Sequence, residues 1–76
     1  MKIEVCGPGC KRCHTTLKNV QDAIAALNII AEVVYITELN EMMARGVMMT
    51  PAVIIDGVMK SSGKVPTVEE VKKWLI

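Results

Sequence analysis

Three cysteines stand close together near the N-terminus, in the segment Cys-Gly-Pro-Gly-Cys-Lys-Arg-Cys-His at positions 6–14. Thiols this close can bind a metal, form structural disulfides or exchange electrons with another disulfide. A disulfide framework is disfavoured, because the number of cysteines is odd and all three lie too near one another to tie distant parts of the chain together. Metal binding and electron exchange remain as the two interpretations of this segment.

Cys10 and Cys13 are separated by two residues, a spacing that places both on one side of a helix. We expect the helix to begin at Cys10, where unpaired backbone N–H groups stabilise a thiolate and lower its pKa below the usual value of about 8.5. We expect Cys13 to face the core, where burial disfavours a thiolate. The pair therefore divides into an exposed nucleophile, Cys10, and a sheltered resolving thiol, Cys13.

A soft metal such as copper or zinc is the alternative ligand for the same thiols, with Cys6 as a third donor. Structural zinc sites usually take four ligands from two separated pairs, and the chain contains no second Cys-x-x-Cys pair. His14 adjoins Cys13 and points in another direction on a helix. A small metal-binding or metal-carrier module is thus the rival of a redox protein.

Composition narrows the classes of partner. The chain has 76 residues, of which 51% are apolar, and this fits one domain over residues 1–76 with a buried core. A net charge of +1, with one Trp, one Tyr and no Phe, offers neither a basic patch nor a stacking platform for nucleic acid. No apolar run is long enough for a membrane span, and we expect a cytoplasmic protein, where close cysteine pairs are rarely structural.

The first half of the chain has the pattern of a strand, a helix and a second strand. Residues 2–6 alternate between polar and apolar. An apolar stripe at helical spacing runs from Cys10 to Leu27, and Asn28 is expected to stop this helix in a left-handed conformation. Residues 31–36 are rich in β-branched side chains, so the three segments predict a parallel strand–helix–strand unit.

The second half predicts a short helix, a hairpin and a last helix. Thr37 is expected to cap a helix that runs through Ala44. Strands at 52–55 and 58–60 flank an Asp56-Gly57 turn, and a capping box starts the last helix at Thr67. The predicted order β-α-β-α-β-β-α defines an α/β fold with a four-stranded mixed sheet and helices on both faces.

These segments, in this order, resemble the thioredoxin superfamily. The resemblance lies in Cys-Lys-Arg-Cys after a glycine-rich loop, in Met-Thr-Pro-Ala-Val-Ile-Ile-Asp-Gly at 49–57 and in the glycine and terminal helix of 61–75. It covers nearly the whole chain and is greatest to the small thioredoxin- and glutaredoxin-like proteins often labelled redox-active disulfide protein 2. It implies a thioredoxin-like fold.

The resemblance also implies an activity, the reduction of disulfides in other proteins, with a thioredoxin-reductase-type electron donor. Cys10 and Cys13 would be the redox pair, and no cofactor or metal would be needed, because the dithiol itself carries the electrons. Pro51 would be cis and would pack opposite the pair, and Thr50 would offer backbone groups to an extended partner segment. Without the resemblance, a trans proline at the start of a strand would be favoured.

Two features near the cysteines depart from the thioredoxin pattern or leave alternatives. Lys11 and Arg12 stand between the cysteines, and we expect them to tune the pair by favouring thiolates and raising the reduction potential above about −270 mV. Glu4 corresponds to a buried acid that transfers a proton to the resolving cysteine in thioredoxins. The strand alternation equally allows Glu4 to be a solvated residue.

Other residues near the pair are expected to fill the core. Cys6 is predicted as a small buried hydrophobe, with a third reactive thiol as the alternative. The methionines of the region before Pro51 are also expected to be core residues, with an adaptable apolar rim for partners as the alternative; they are Met42, Met43, Met48 and Met49.

Overall fold

The structure is a computed structural model that describes residues 1–9 and 11–76. Its elements, in chain order, are β1 (Lys2–Cys6), α1 (Lys11–Leu27), β2 (Glu32–Ile36), α2 (Leu39–Ala44), β3 (Ala52–Ile55), β4 (Val58–Ser62) and α3 (Val68–Leu75). This order confirms the predicted β-α-β-α-β-β-α arrangement and the α/β class.

The four strands form one mixed sheet in the order β2-β1-β3-β4. β1 pairs with β2 in parallel and with β3 in antiparallel orientation, and β3 and β4 form the antiparallel hairpin. The parallel pair requires the crossover that α1 supplies. Because β1 lies inside the sheet, the chain leaves the middle of the sheet on its way from β1 to α1.

Helices cover both faces of the sheet, and each face has its own apolar cluster. On one face, α1 and α3 pack on the inner strands through a cluster of Ile3, Val5, Val20, Ala23, Val53, Ile55, Val71 and Leu75. On the other face, the short α2 and the loop after it pack through Cys6, Ile36, Met42, Val47, Ala52 and Ile54. Alternate residues of β1 therefore serve opposite layers, as the period of a strand requires.

The local signals for helix and turn ends are largely confirmed. Asn28 has a φ of 53° after the end of α1, and Asp56 and Gly57 have φ values of 49° and 83° in the hairpin turn. At the start of α3, the Thr67 side chain accepts a hydrogen bond from the N–H of Glu70 at 3.1 Å, and the Glu70 carboxylate accepts one from the N–H of Thr67 at 3.1 Å. These signals succeed because the partners are neighbours in the sequence.

Three predicted boundaries were wrong. The cap of α2 is Glu38 and not Thr37, because the first helical hydrogen bond runs from the N–H of Met42 to the Glu38 carbonyl at 3.0 Å. β2 begins one residue later than predicted, at Glu32, where pairing with β1 begins. β4 extends beyond Lys60 to Ser62, because Ser61 and Ser62 pair with Val53 and Ala52 on the far side of a register shift that leaves Lys60 out of the pairing. The predicted start of α1 at Cys10 lies outside the described residues.

Candidate active site

The loop after β1 leads from the centre of the sheet into α1. The N–H of Gly7 donates to the carbonyl of Ile36 at 2.9 Å, which fixes the beginning of the loop against the end of β2. Gly9 has a φ of 91°, a conformation that glycine adopts at little cost. Cys10 comes next in the sequence and lies outside the described residues, so its exposure and its thiolate character stay predictions.

Cys13 is the third residue of α1, and its side chain is fully buried. A Cβ atom placed on Gly7 would lie 2.2 Å from Cys13 Sγ and 2.9 Å from Cys13 Cβ. The thiol therefore fills the space that the missing side chain of Gly7 leaves. The predicted burial of Cys13 is confirmed, while its role as the resolving thiol stays a prediction. Gly7 was not predicted as a site residue, although a glycine directly after a strand is a signal for close approach.

The loop before β3 reaches the same glycine. Thr50 Cβ lies 4.0 Å from the position of a Cβ on Gly7, so Thr50 and Cys13 approach the loop at one point. The Thr50–Pro51 peptide bond is cis, the isomer that the resemblance implies, and Pro51 is fully buried. The structure thus brings Cys13 and Thr50 together across Gly7. The packing of Pro51 opposite the Cys10–Cys13 pair stays a prediction.

Arg12 connects α1 to the turn after β4. Its side chain is exposed, and Nη2 donates to the carbonyl of Gly63 at 3.1 Å. The N–H of Gly63 in turn donates to the carbonyl of Pro51 at 2.9 Å. Lys11, also exposed, is the next residue on the helix. Arg12 was predicted only as a charge near the thiols, because a contact across 51 residues has no local signal.

Glu4 is not a solvated strand residue. Its side chain is 12% exposed and accepts a hydrogen bond from Arg45 Nε at 2.5 Å. This hydrogen bond raises the pKa of the Arg45 guanidinium above its usual range. Arg45 was not predicted as a partner of Glu4, because it follows α2 and stands 41 residues away in the sequence. The proton transfer predicted for Glu4 stays a prediction.

Cys6 is a core residue, as the sequence predicted. It is fully buried, in the cluster that contains Ile36 and Met42. Burial raises the pKa of its thiol; the nearby Arg45 opposes this effect and the nearby Glu4 adds to it. Because its pKa is raised, Cys6 stays protonated near neutral pH, and because it is buried, its thiol is inaccessible to a partner.

Stability above about pH 8.5 should depend on Cys6. The unfolded chain ionises this thiol at its usual pKa, whereas the folded chain holds the pKa higher and keeps the proton. The unfolded state therefore binds fewer protons, and rising pH lowers the free energy of unfolding by up to about 1.4 kcal/mol per pH unit. Urea unfolding from about pH 7 to about pH 10 should show a shallower decline in Cys6→Ala than in wild type. Equal slopes would contradict the raised pKa.

The methionines are divided between core and surface. Met42 is 4% exposed, but Met43, Met48 and Met49 are 64%, 93% and 61% exposed, so the core prediction is wrong for these three. The reason is that α2 has six residues, of which only Met42 is buried, and the other two methionines stand in a loop. The exposure of Met48 and Met49, which directly precede Thr50 in the chain, agrees with the alternative of an adaptable apolar rim.

His14 of α1 and Tyr35 of β2 form an aromatic contact near the start of α1. The rings of His14 and Tyr35 meet edge to face, with 5.9 Å between centroids and an interplanar angle of 89°. Tyr35 Oη lies 3.9 Å from the position of a Cβ on Gly9. Tyr35 thus extends from β2 to the residue that precedes Cys10, a placement that the strand pattern alone did not indicate.

Neither a metal centre nor a membrane helix is found in the described part of the chain. Among residues 1–9 and 11–76, no three His, Cys, Asp or Glu side chains are grouped so that they could hold a metal ion. Over the same residues, no helix has both the length and the apolar character that crossing a membrane requires.

Comparison with known proteins places the fold in a family. Residues 1–76 match the family model of a thioredoxin domain. The chain is 44% identical over 73 residues to a thioredoxin of Methanocaldococcus jannaschii, covering 96% of this chain and 84% of that protein. It is 37% identical over 75 residues to a thioredoxin of Methanothermobacter thermautotrophicus, covering 99% and 97%.

The chain therefore belongs to the thioredoxin family, a family of thiol–disulfide oxidoreductases. Its fold is thioredoxin-like, with the sheet and helices described above. The narrower assignment to the redox-active disulfide protein 2 group stays a prediction.

Proposed function

We propose that this chain reduces disulfides in other proteins, with Cys10 as the nucleophile and Cys13 as the resolving thiol. The observation that carries the proposal is the fully buried Cys13 in the first turn of α1, seated on Gly7 and opposite Thr50. Cys10 precedes this helix in the sequence, where unpaired N–H groups favour a thiolate. The two thioredoxins that the chain is similar to support the same activity.

The proposed reaction moves two electrons to the partner in two exchanges. The Cys10 thiolate attacks one sulfur of the partner disulfide, the partner S–S bond breaks, and the other sulfur leaves as a thiolate that takes up a proton. The product is a mixed disulfide between Cys10 and the partner. Cys13 then loses its proton and attacks Cys10 Sγ, which releases the second partner thiol. The chain is left with an oxidised Cys10–Cys13 pair and the partner with two thiols.

Thr50 is proposed to hold the partner during the exchange. It is half-buried and precedes β3 at the point where the loop meets Gly7. An extended partner segment could pair with the backbone here, which gives affinity without demanding one sequence. Pro51 would form the floor of this contact, since it is buried and its carbonyl is bound by Gly63.

The dithiol is the only electron carrier that the proposed reaction needs. An external donor of the thioredoxin-reductase type would reduce the Cys10–Cys13 disulfide and complete the cycle. We propose a cytoplasmic setting, where such donors keep thiols reduced.

Insulin reduction in the presence of dithiothreitol tests the proposal. Wild type should accelerate the reduction, while Cys10→Ser and Cys13→Ser should not turn over. In a separate reaction without dithiothreitol, which would itself cleave the product, Cys13→Ser should accumulate a mixed disulfide on Cys10, because the second exchange is removed, and mass spectrometry identifies the bound partner. Cys6→Ala is the matched control, since it removes a thiol of the same chain that is fully buried elsewhere.

The outcomes separate the redox function from the metal-binding alternative. Loss of turnover in Cys6→Ala with full turnover in Cys10→Ser would contradict the assignment of the pair. Tight stoichiometric binding of copper or zinc by the reduced wild type, with no insulin reduction, would contradict the redox function itself.

A further inference from the structure

Arg12 carries a charge that the described carboxylates leave unpaired. Ion pairs among residues 1–9 and 11–76 involve four other basic residues, Lys18, Arg45, Lys64 and Lys72. The Arg12 guanidinium instead donates to a neutral group, the carbonyl of Gly63, and remains exposed. A guanidinium has five N–H donors in a planar fork, so donors remain for an acceptor from outside the chain.

The position of this guanidinium is fixed next to the proposed partner contact. Gly63, which accepts from Arg12, also donates to the carbonyl of Pro51 at 2.9 Å. The Cε and Sδ atoms of Met49 lie 2.7 Å and 3.4 Å from the position of a Cβ on the same glycine, and Met49 is 61% exposed. The Arg12 guanidinium and the apolar side chain of Met49 therefore both lie at Gly63, where a partner would approach the redox pair.

We propose that Arg12 is a specificity-determining residue, which selects partner disulfides that have a carboxylate side chain within a residue or two of the attacked cysteine. The proposal rests on the disulfide-reducing function above. The bond to Gly63 restricts the guanidinium before the partner arrives, so less conformational freedom is lost on binding than with an untethered lysine. The apolar face of Met49 would cover the stem of the same partner side chain.

Three synthetic peptides measure this selection. Each contains one intramolecular disulfide and an apolar residue, and they differ at a single position next to one cysteine, which is Glu, Gln or Lys. The reduced chain is mixed with each peptide without another reductant, and the second-order rate constant is followed by loss of the peptide disulfide. We expect wild type to reduce the Glu peptide about two- to fivefold faster than the Gln peptide, the range for one solvent-exposed ion pair, and the Lys peptide most slowly.

Four variants assign the preference to a residue. Arg12→Gln should make the three rates equal, while Arg12→Lys should keep part of the preference. Lys11→Gln removes the same charge from the neighbouring residue and should reduce the preference less than Arg12→Gln. Lys73→Gln removes an exposed charge from the last turn of α3 and should leave all three rates unchanged. Raising salt from about 0.01 M to about 1 M should weaken the preference of wild type.

The result that would overturn the inference is distinct from failure of the proposed function. Equal slowing of all three peptides in Arg12→Gln would make Arg12 a structural tether only. A preference lost equally in Lys11→Gln and Arg12→Gln would assign it to general positive charge. A wild-type chain that reduces insulin without any peptide preference would overturn the inference alone, whereas one that reduces neither insulin nor peptide would overturn the proposed function as well.

Discussion

Replacing Gly7 by Ala should destabilise the chain and displace Cys13. The new Cβ would stand 2.2 Å from Cys13 Sγ, and rotation of the thiol cannot relieve the clash because Cys13 Cβ would be only 2.9 Å away. Overpacking of this kind costs about 1–3 kcal/mol. Alanine also restricts the unfolded chain, a gain of about 0.4–1 kcal/mol, so the clash should dominate. A core of this size supplies only about 3–5 kcal/mol, and urea unfolding should report the loss clearly.

The same substitution should slow insulin reduction by more than the unfolded fraction accounts for, because the first turn of α1 must move away from the Gly7 loop. A double variant provides the control. Cys13→Ala removes the sulfur that the new methyl group meets, so Gly7→Ala should cost less in the Cys13→Ala background than in wild type. If Gly7→Ala lowered the free energy of unfolding equally in both backgrounds, the clash would not involve the thiol. That result would contradict the close approach of Cys13 Sγ to Gly7.

Local chemistry explains which parts of this fold the sequence could predict. Asn28, Asp56-Gly57 and Thr67 each complete their hydrogen bonds or backbone conformation within a few residues, and each was predicted correctly. Thr37 has the same chemistry as Thr67 but was wrong as a cap. α2 begins where Met42 can enter the core, and that requirement comes from packing rather than from the capping residue.

Long-range contacts explain what the sequence could not predict about the site. The burial of Cys13 follows from helical periodicity, but the contact of Arg12 with Gly63 and the ion pair of Glu4 with Arg45 join residues 51 and 41 positions apart. The pattern of neighbouring residues does not predict contacts over such sequence separations. Gly7 is only six residues from Cys13 in the sequence. The need for a glycine there arises only when β1 and α1 are packed together, because that packing brings Cys13 Sγ against it.

The ion pair of Glu4 and Arg45 should matter more for stability than for proton transfer. Glu4 and Cys6 lie on the face of β1 that α2 covers, whereas Cys13 lies on α1, which packs on the opposite face through residues such as Val20. Arg45→Met would leave the largely buried Glu4 carboxylate without its cation, and a half-satisfied pair is worse than none. We expect this variant to have a lower free energy of unfolding than wild type, measured by urea unfolding. The double variant Glu4→Gln/Arg45→Met should recover most of the loss.

Glu4→Gln then distinguishes the two roles of the carboxylate. General acid–base groups contribute about 10²- to 10⁴-fold to a rate, so a proton-transferring Glu4 would cost at least about a hundredfold in the resolution of the mixed disulfide. We expect a change of less than about threefold in Glu4→Gln, measured in stopped flow on the isolated mixed disulfide, because the carboxylate and Cys13 belong to opposite layers. A hundredfold loss in Glu4→Gln, together with normal resolution in Arg45→Met, would instead establish proton transfer. That result would require the carboxylate to reach Cys13 past the sheet, in contradiction of the layer in which Arg45 binds it.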